Sequence, residues 1–313
     1  MVYEIFSKLL SESLLSLYPV FVKNIGLPLT LQTWSRCFSY AVISAFFIDY
    51  PFIYHALTSS SGILLALTTI AHIYTSYRGF ELLESGVAYS LFYLYPIIIL
   101  LIANKQIHPI ILLALFGVFL LVSDEKFDVM NLVNSPEGFI MILLAATTEA
   151  AIYFLVRDIK TTNNWNHIFI SYFLGALLFS AYFFVNKFTT VGKRLEQLCC
   201  SARFLHWFPR ISEADSETNS TTENIFKSVS ITNNTLYSRI YFSLGINTVI
   251  GLFGYLLRFY AITRLDTYLY AVLSYFGIVM AFVYGIFING ETINFQKIIG
   301  ALLIVISNMV LII

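Results

Sequence analysis

Gly138-Phe139-Ile140-Met141-Ile142-Leu143-Leu144-Ala145-Ala146-Thr147-Thr148-Glu149-Ala150-Ala151-Ile152-Tyr153-Phe154-Leu155-Val156 is an apolar run broken by a single ionisable residue, Glu149. About 20 such residues cross the hydrocarbon core of a bilayer as a helix. Inside lipid the backbone must satisfy its own hydrogen bonds, so helix is the default for the run. Working outward from it, similar stretches recur at roughly 5–23, 30–48, 61–82, 85–103, 107–123, 138–156, 166–186, 240–262, 267–288 and 295–313. The expected fold is an all-α membrane protein with ten transmembrane helices. Lys8 and Glu12 interrupt the first stretch. That stretch also lacks a small-residue cleavage site, so it is read as a span rather than a signal peptide.

Composition agrees. The chain has 313 residues, 58% hydrophobic and 12% charged, with mean hydropathy +0.78. A soluble domain carries roughly 25% charged residues, and a soluble core of this size has no room for so much apolar surface. Eighteen basic residues balance eighteen acidic ones, so no net field attracts nucleic acid and no such partner is expected. The 29 Phe and 21 Tyr suit lipid-facing walls and interfacial belts. Cys37, Cys199 and Cys200 form no CxxC pair or His/Cys cluster, so neither a metal site nor a cofactor is expected.

Connections are short, as at Gly26-Leu27-Pro28, Asp49-Tyr50-Pro51, Lys105-Gln106 and Asn289-Gly290-Glu291. The exception is 187–239. Its middle, Ser212 to Asn234, is rich in Ser, Thr, Asn and Glu, a composition that builds no core. The basic, aromatic segment from Arg203 to Arg210 either lies on the membrane surface or packs on helix ends.

The halves resemble each other. Phe116-Gly117-Val118-Phe119-Leu120-Leu121-Val122 matches Ile299-Gly300-Ala301-Leu302-Leu303-Ile304-Val305, Arg78 matches Arg258, Tyr89 matches Tyr270, Pro96 matches Gly277, and Ser11-Glu12-Ser13 matches Thr148-Glu149-Ala150. This divides the chain into 1–130 and 131–313, with the long loop inside the second unit. Five spans per unit make the repeat inverted, the usual basis of alternating access around a midplane site.

Gly254-Tyr255-Leu256-Leu257-Arg258-Phe259-Tyr260-Ala261-Ile262, the turn Asn289-Gly290-Glu291-Thr292 and the run Gln296-Lys297-Ile298-Ile299-Gly300-Ala301-Leu302-Leu303-Ile304 together resemble the second EamA repeat of the drug/metabolite transporter superfamily. That repeat has a Tyr-Ala pair ending one helix, a Gly-Glu turn and an Ile-Gly-Ala-Leu-Leu-Ile run. The first half is similar more faintly, through Pro28, Trp34-Ser35-Arg36-Cys37-Phe38 and Pro96, and has Lys105-Gln106 where the family has Gly-Glu. The resemblance implies ten spans, cytosolic termini and a central cavity lined by spans three, four, eight and nine. The superfamily's sugar-phosphate branch grips phosphate with Lys or Arg in spans four and nine. Stretches 85–103 and 267–288 contain neither, so that mode of binding is not expected.

Ionisable groups inside spans are costly and are functional candidates by default. Glu149 lies mid-span among small residues, and Glu12 nearer an end. A desolvated carboxylate exchanges protons closer to neutral pH than a free one, so both are candidates for proton coupling or for holding a cationic group; structural pairing is the plainer alternative. Arg78 and Arg258 lie near predicted helix ends, where long side chains reach the headgroups; pairing with an intramembrane Glu or with a substrate anion is the other reading. His72 is a proton-relay or packing residue. Asn247, Tyr89 and Tyr270 are candidate cavity liners.

Flanking cations do not orient the chain: Lys8, Lys105, Arg157, Lys160 and Arg264 oppose Lys23, Arg36, Arg78, Lys126 and Lys297. The sequons at Asn219 and Asn233, if used, put the long loop outside the cytosol, which agrees with cytosolic termini. The expectation is a multi-pass membrane carrier of small organic solutes, with lipid and a small-molecule substrate as partners and a homodimer left open. A channel or a non-transporting scaffold is the alternative. No HExxH, paired-aspartate or nucleophile-histidine motif occurs in the spans, so an enzyme is not expected.

Overall fold

The computed structural model describes residues 2–18, 27–83, 85–104, 109–122, 136–200, 222–290 and 295–312. These are helical throughout, without a strand. In chain order the helices are α1 (Val2–Leu15), α2 (Leu29–Ser44), α3 (Tyr50–Thr58), α4 (Ser60–Leu82), α5 (Ser85–Phe92), α6 (Tyr95–Asn104), α7 (Ile110–Val122), α8 (Pro136–Asp158), α9 (Asn164–Cys200), α10 (Thr222–Arg264), α11 (Thr267–Ser274), α12 (Phe276–Asn289) and α13 (Phe295–Ile312). Four stretches are long and apolar enough to cross a membrane: Pro136–Asp158, Asn164–Val185, Phe242–Arg264 and Thr267–Ile288. The pair α3 and α4, bent by 82°, makes a fifth if the two are counted as one span. Ala88–Ala103 and Ile298–Ser307 are shorter apolar helices. Together they support a transmembrane protein.

Two departures from the sequence reading have local causes. Asp49-Tyr50-Pro51, read as a loop, begins α3, with Pro51 in its first turn, where the missing N–H costs nothing. Ser59 ends α3, and its Oγ accepts from the Gly62 N–H at 3.0 Å to start α4. Part of the polar stretch Ser212–Asn234 is helical, since α10 begins at Thr222; a helix propagates from an established apolar segment at modest cost through Ser, Thr and Asn. The segment Arg203–Arg210 and the Asn219 sequon lie outside the described residues.

Stretches 85–103 and 267–288 each hold two helices. The first breaks at Tyr93-Leu94 and the second at Tyr275. Pro96 has no N–H to give the Phe92 carbonyl, which accounts for the first break. At the second, Gly277 sits where a Cβ would strike the Tyr93 hydroxyl, so glycine is what lets α12 come this close. Gly290, at φ 66°, terminates α12 in the left-handed conformation.

The helices pack in pairs: α4 along α8, α1 along α10, α2 along α9 and α7 along α13. The broken helices fill the spaces between, with α5 and α6 against α8, α11 and α12 against α1, α6 against α11, and α5 against α12. The interior is rich in tyrosine: Tyr18, Tyr40, Tyr77, Tyr89, Tyr93, Tyr95, Tyr153, Tyr172, Tyr255, Tyr270 and Tyr275 are all buried. These rings serve the core rather than an interfacial belt. Large apolar side chains such as Phe46, Phe184, Phe253 and Phe287 face outward, as lipid contact requires.

Candidate functional site

A network of ionisable side chains lies at the meeting of α1, α4, α8 and α10. Lys8 and Glu12 are 0% exposed, Arg258 1%, Glu149 2% and His72 3%. Lys8 and Glu12 are one helical turn apart on α1, and Lys8 donates to Glu12 Oε1. Its ammonium also lies 3.6 Å from the centre of the Tyr270 ring, a cation–π contact. Arg258, on α10, bridges two carboxylates from different helices. Its Nη1 donates to Glu149 Oε1 at 2.5 Å, and its Nη2 lies 3.1 Å from both oxygens of Glu12.

The two carboxylates differ in how completely they are satisfied. Glu12 accepts from Lys8, Arg258, the Tyr93 hydroxyl at 2.5 Å and the Tyr95 hydroxyl at 3.4 Å. Four donors fit an ionised carboxylate. Glu149 accepts from Arg258 through Oε1 alone, while its Oε2 is buried with no hydrogen-bond partner among the described residues. Facing Oε2 at 3.3 Å is His72 Nε2.

The state of that imidazole follows from its partners. His72 Nδ1 is 3.1 Å from the Ala145 carbonyl, which only accepts, and 3.3 Å from Thr148 Oγ1. Thr148 directs its single hydroxyl hydrogen at the Leu144 and Ala145 carbonyls. Nδ1 therefore carries the hydrogen. In neutral imidazole Nε2 is then an acceptor and takes the Tyr255 hydroxyl, 3.3 Å away. A lone pair on Nε2 and an ionised Oε2 at this separation repel, and one added proton between them removes the conflict. His72 Nε2 and Glu149 Oε2 thus face each other as two acceptors, flanked by the Arg258 guanidinium.

A second polar centre adjoins the first. Arg36, on α2, is 5% exposed. Its Nη1 and Nη2 donate to the Tyr77 and Tyr172 hydroxyls at 3.3 and 3.0 Å. The rings of Tyr18, Tyr40, Tyr77, Tyr172 and Tyr255 surround its guanidinium, with centroids 4.7–5.6 Å away. Tyr255 joins the two centres, since its ring faces both Arg36 and Arg258 and its hydroxyl meets His72. A small cavity of about 20 Å³ opens between them, lined among others by Arg36, His72, Ser76, Tyr255 and Arg258.

Of the residues singled out in the sequence, Glu12, Glu149, His72 and Arg258 come together here. Tyr89 and Tyr270 are buried beside them; the Tyr89 hydroxyl donates to the Leu15 carbonyl at 2.5 Å. Asn247 is buried, 6% exposed. Arg78 is elsewhere, about a third exposed and paired with Glu81 and Glu137 at 3.0 and 2.8 Å. Arg78 and Arg258 are therefore matched in sequence but not in surroundings, and Arg258 does not reach a headgroup. On α4 it is His72 that faces Glu149 as Arg258 on α10 faces Glu12.

Neither Lys8 nor Arg36 was among the candidate site residues, and both are buried. A signal was present for each: Lys8 and Glu12 have the i, i+4 spacing of a helix pair, and Arg36 falls inside the second apolar stretch. No group of three metal-ligating side chains occurs among the described residues.

No family model matches the chain, and no curated protein matches it. A solved crystal structure superposes on it with TM-score 0.55 at 13% identity, covering 99% of this chain and 98% of that one. That is a likeness of fold alone.

Proposed function

We propose that the chain is a membrane carrier of small organic solutes, working by alternating access between two inverted five-span units, 1–130 and 131–313, of the EamA type, with both termini in the cytosol. The observation that carries this reading is the buried ion network. Buried ion pairs rarely add stability, because desolvation offsets attraction. Four ionised groups and a histidine kept dry at the centre of an apolar helix assembly therefore point to work done there. The network is drawn from both units, Lys8, Glu12 and His72 from one and Glu149 and Arg258 from the other.

The packing supports a twofold relation between the units. Exchange α1 with α8, α2 with α9, α4 with α10, α5 with α11, α6 with α12 and α7 with α13. The pair α4–α8 becomes α10–α1, and the pair α5–α7 becomes α11–α13. The pairs α2–α9 and α7–α13 map onto themselves, and all of these packings are present. The helix breaks at Tyr93-Leu94 and Tyr275 also correspond. In this reading the proton site of His72 and Glu149 couples solute movement to protons. Proteoliposomes loaded with a solute library and diluted into labelled solute provide the test. Counterflow for at least one solute, with a pH dependence that Glu149→Gln removes, is expected. Absence of counterflow for every solute sinks the carrier, and unchanged pH dependence in Glu149→Gln sinks the coupling alone.

A further inference from the structure

Among the described residues, charge bookkeeping in the interior leaves one cation over. Lys8 and Arg258 face Glu12 and Glu149, one cation per carboxylate. Arg36 meets no carboxylate among the described residues. Each of its amino nitrogens makes one hydrogen bond, to a neutral phenol, and Nε makes none although buried. An isolated buried ion is costly. Five tyrosine rings lessen that cost through cation–π contacts, but phenols carry no compensating charge.

We propose that Arg36, within its tyrosine box and beside the cavity it shares with His72 and Arg258, binds the carboxylate of a monovalent organic acid with a flat, apolar body. The valence follows from the single uncompensated charge. The carboxylate follows from the guanidinium, whose free Nε–H lies on the edge that pairs with two parallel oxygens. The flat body follows from the aromatic walls, which also include Phe80 and Phe92. At about 20 Å³ the cavity holds little more than a water-sized group, so the acid enters as the surrounding helices separate. The proposal rests on the carrier reading for that motion. It does not use the phosphate-gripping positions of spans four and nine, because Arg36 lies on α2.

The test is calorimetric titration of the purified full-length protein in detergent with benzoate, its neutral isostere benzamide and the dianion phthalate. Benzoate should bind at least tenfold more tightly than either, a difference of about 1.4 kcal/mol. Arg36→Gln should erase that preference, and Arg36→Lys, which keeps the charge but not the fork, should retain part of it. Equal binding of benzoate and benzamide by the wild-type protein, or no benzoate binding, overturns the proposal even if the variants fail to fold. Full benzoate preference in a monodisperse Arg36→Gln protein overturns it as well. Counterflow separates this from the carrier itself. Benzoate bound but not carried, with no other solute carried, removes the carrier and leaves the site; a neutral solute carried without benzoate binding removes the site and leaves the carrier.

Discussion

Removing the Arg258 guanidinium is the most informative perturbation of the ion network. Arg258→Gln withdraws the donor to Glu149 Oε1 and the Nη2 contacts to Glu12. Glu12 keeps Lys8, Tyr93 and Tyr95, so its loss is partial. Among the described residues Glu149 has no other hydrogen-bond donor, and its Oε2 is already unpaired. A buried carboxylate stranded this way costs about 3–5 kcal/mol, against a total stability of order 5–15 kcal/mol for a folded protein. Glu149→Gln alone leaves Arg258 with Glu12 and its rings and should cost less, about 1–3 kcal/mol. The double variant no longer has the stranded charge. It should be more stable than Arg258→Gln by about 1 kcal/mol or more; with the loss of about 1–3 kcal/mol for Glu149→Gln, that is a coupling of about 2–4 kcal/mol, well above the roughly 0.3–0.5 kcal/mol within which independent sites add. Reversible unfolding in mixed micelles, followed by tryptophan fluorescence across the four members of the cycle, measures this. Additive losses would refute the account, since they would mean that Glu149 is satisfied without Arg258.

Other consequences are simpler to read. Gly277→Ala pushes the Tyr93 hydroxyl away from Glu12 and should lower stability by roughly 1.5–3 kcal/mol, the worth of a hydrogen bond to a charged group; an unchanged melting temperature would count against the close approach of α12. Arg78→Ala breaks two exposed ion pairs and should change stability by no more than about 1 kcal/mol, with solute flux unaltered. Cys37 is a free, fully buried thiol. In a background with Cys199 and Cys200 replaced by Ser it should label with maleimide only after denaturation, and rapid labelling of the native protein would place α2 wrongly.

Most of the helices were legible because each needs an apolar run, and such runs are visible residue by residue. What runs do not reveal is which way a side chain turns. Arg258 sits four residues from the end of the stretch 240–262, where snorkelling is the ordinary expectation. The helix in fact runs to Arg264, which sets Arg258 deeper, and its face is turned to α1 and α8 rather than to lipid. Arg36 was passed over for a related reason. It stands among Trp34, Ser35 and Ser39 near the start of a stretch, and only the packing of α2 on α9 brings Tyr172 over it. Pro51 misled in the opposite direction, since the same residue that ends helices also starts them.

The matched glutamates show what the doubled backbone proposed above would and would not dictate. Glu12 and Glu149 were paired from sequence, and the structure brings both to one guanidinium. Their other neighbours differ. Across from Glu12 stands Arg258, always charged; across from Glu149 stands His72, charged only when protonated. Lys8 on α1 completes the first carboxylate, and the residue at the corresponding offset on α8 is Ala145, which offers a backbone carbonyl to His72 instead. In the two-unit reading proposed above, the packing is nearly equivalent while the electrostatics is not. One glutamate is saturated with donors; among the described residues the other keeps one oxygen without a donor, facing a base. A symmetric pair would make both carboxylates exchangeable or neither. In the proton-coupled carrier proposed above, this asymmetry would place the exchange at Glu149, and Glu12→Gln should accordingly lower stability while leaving any pH dependence of flux in place.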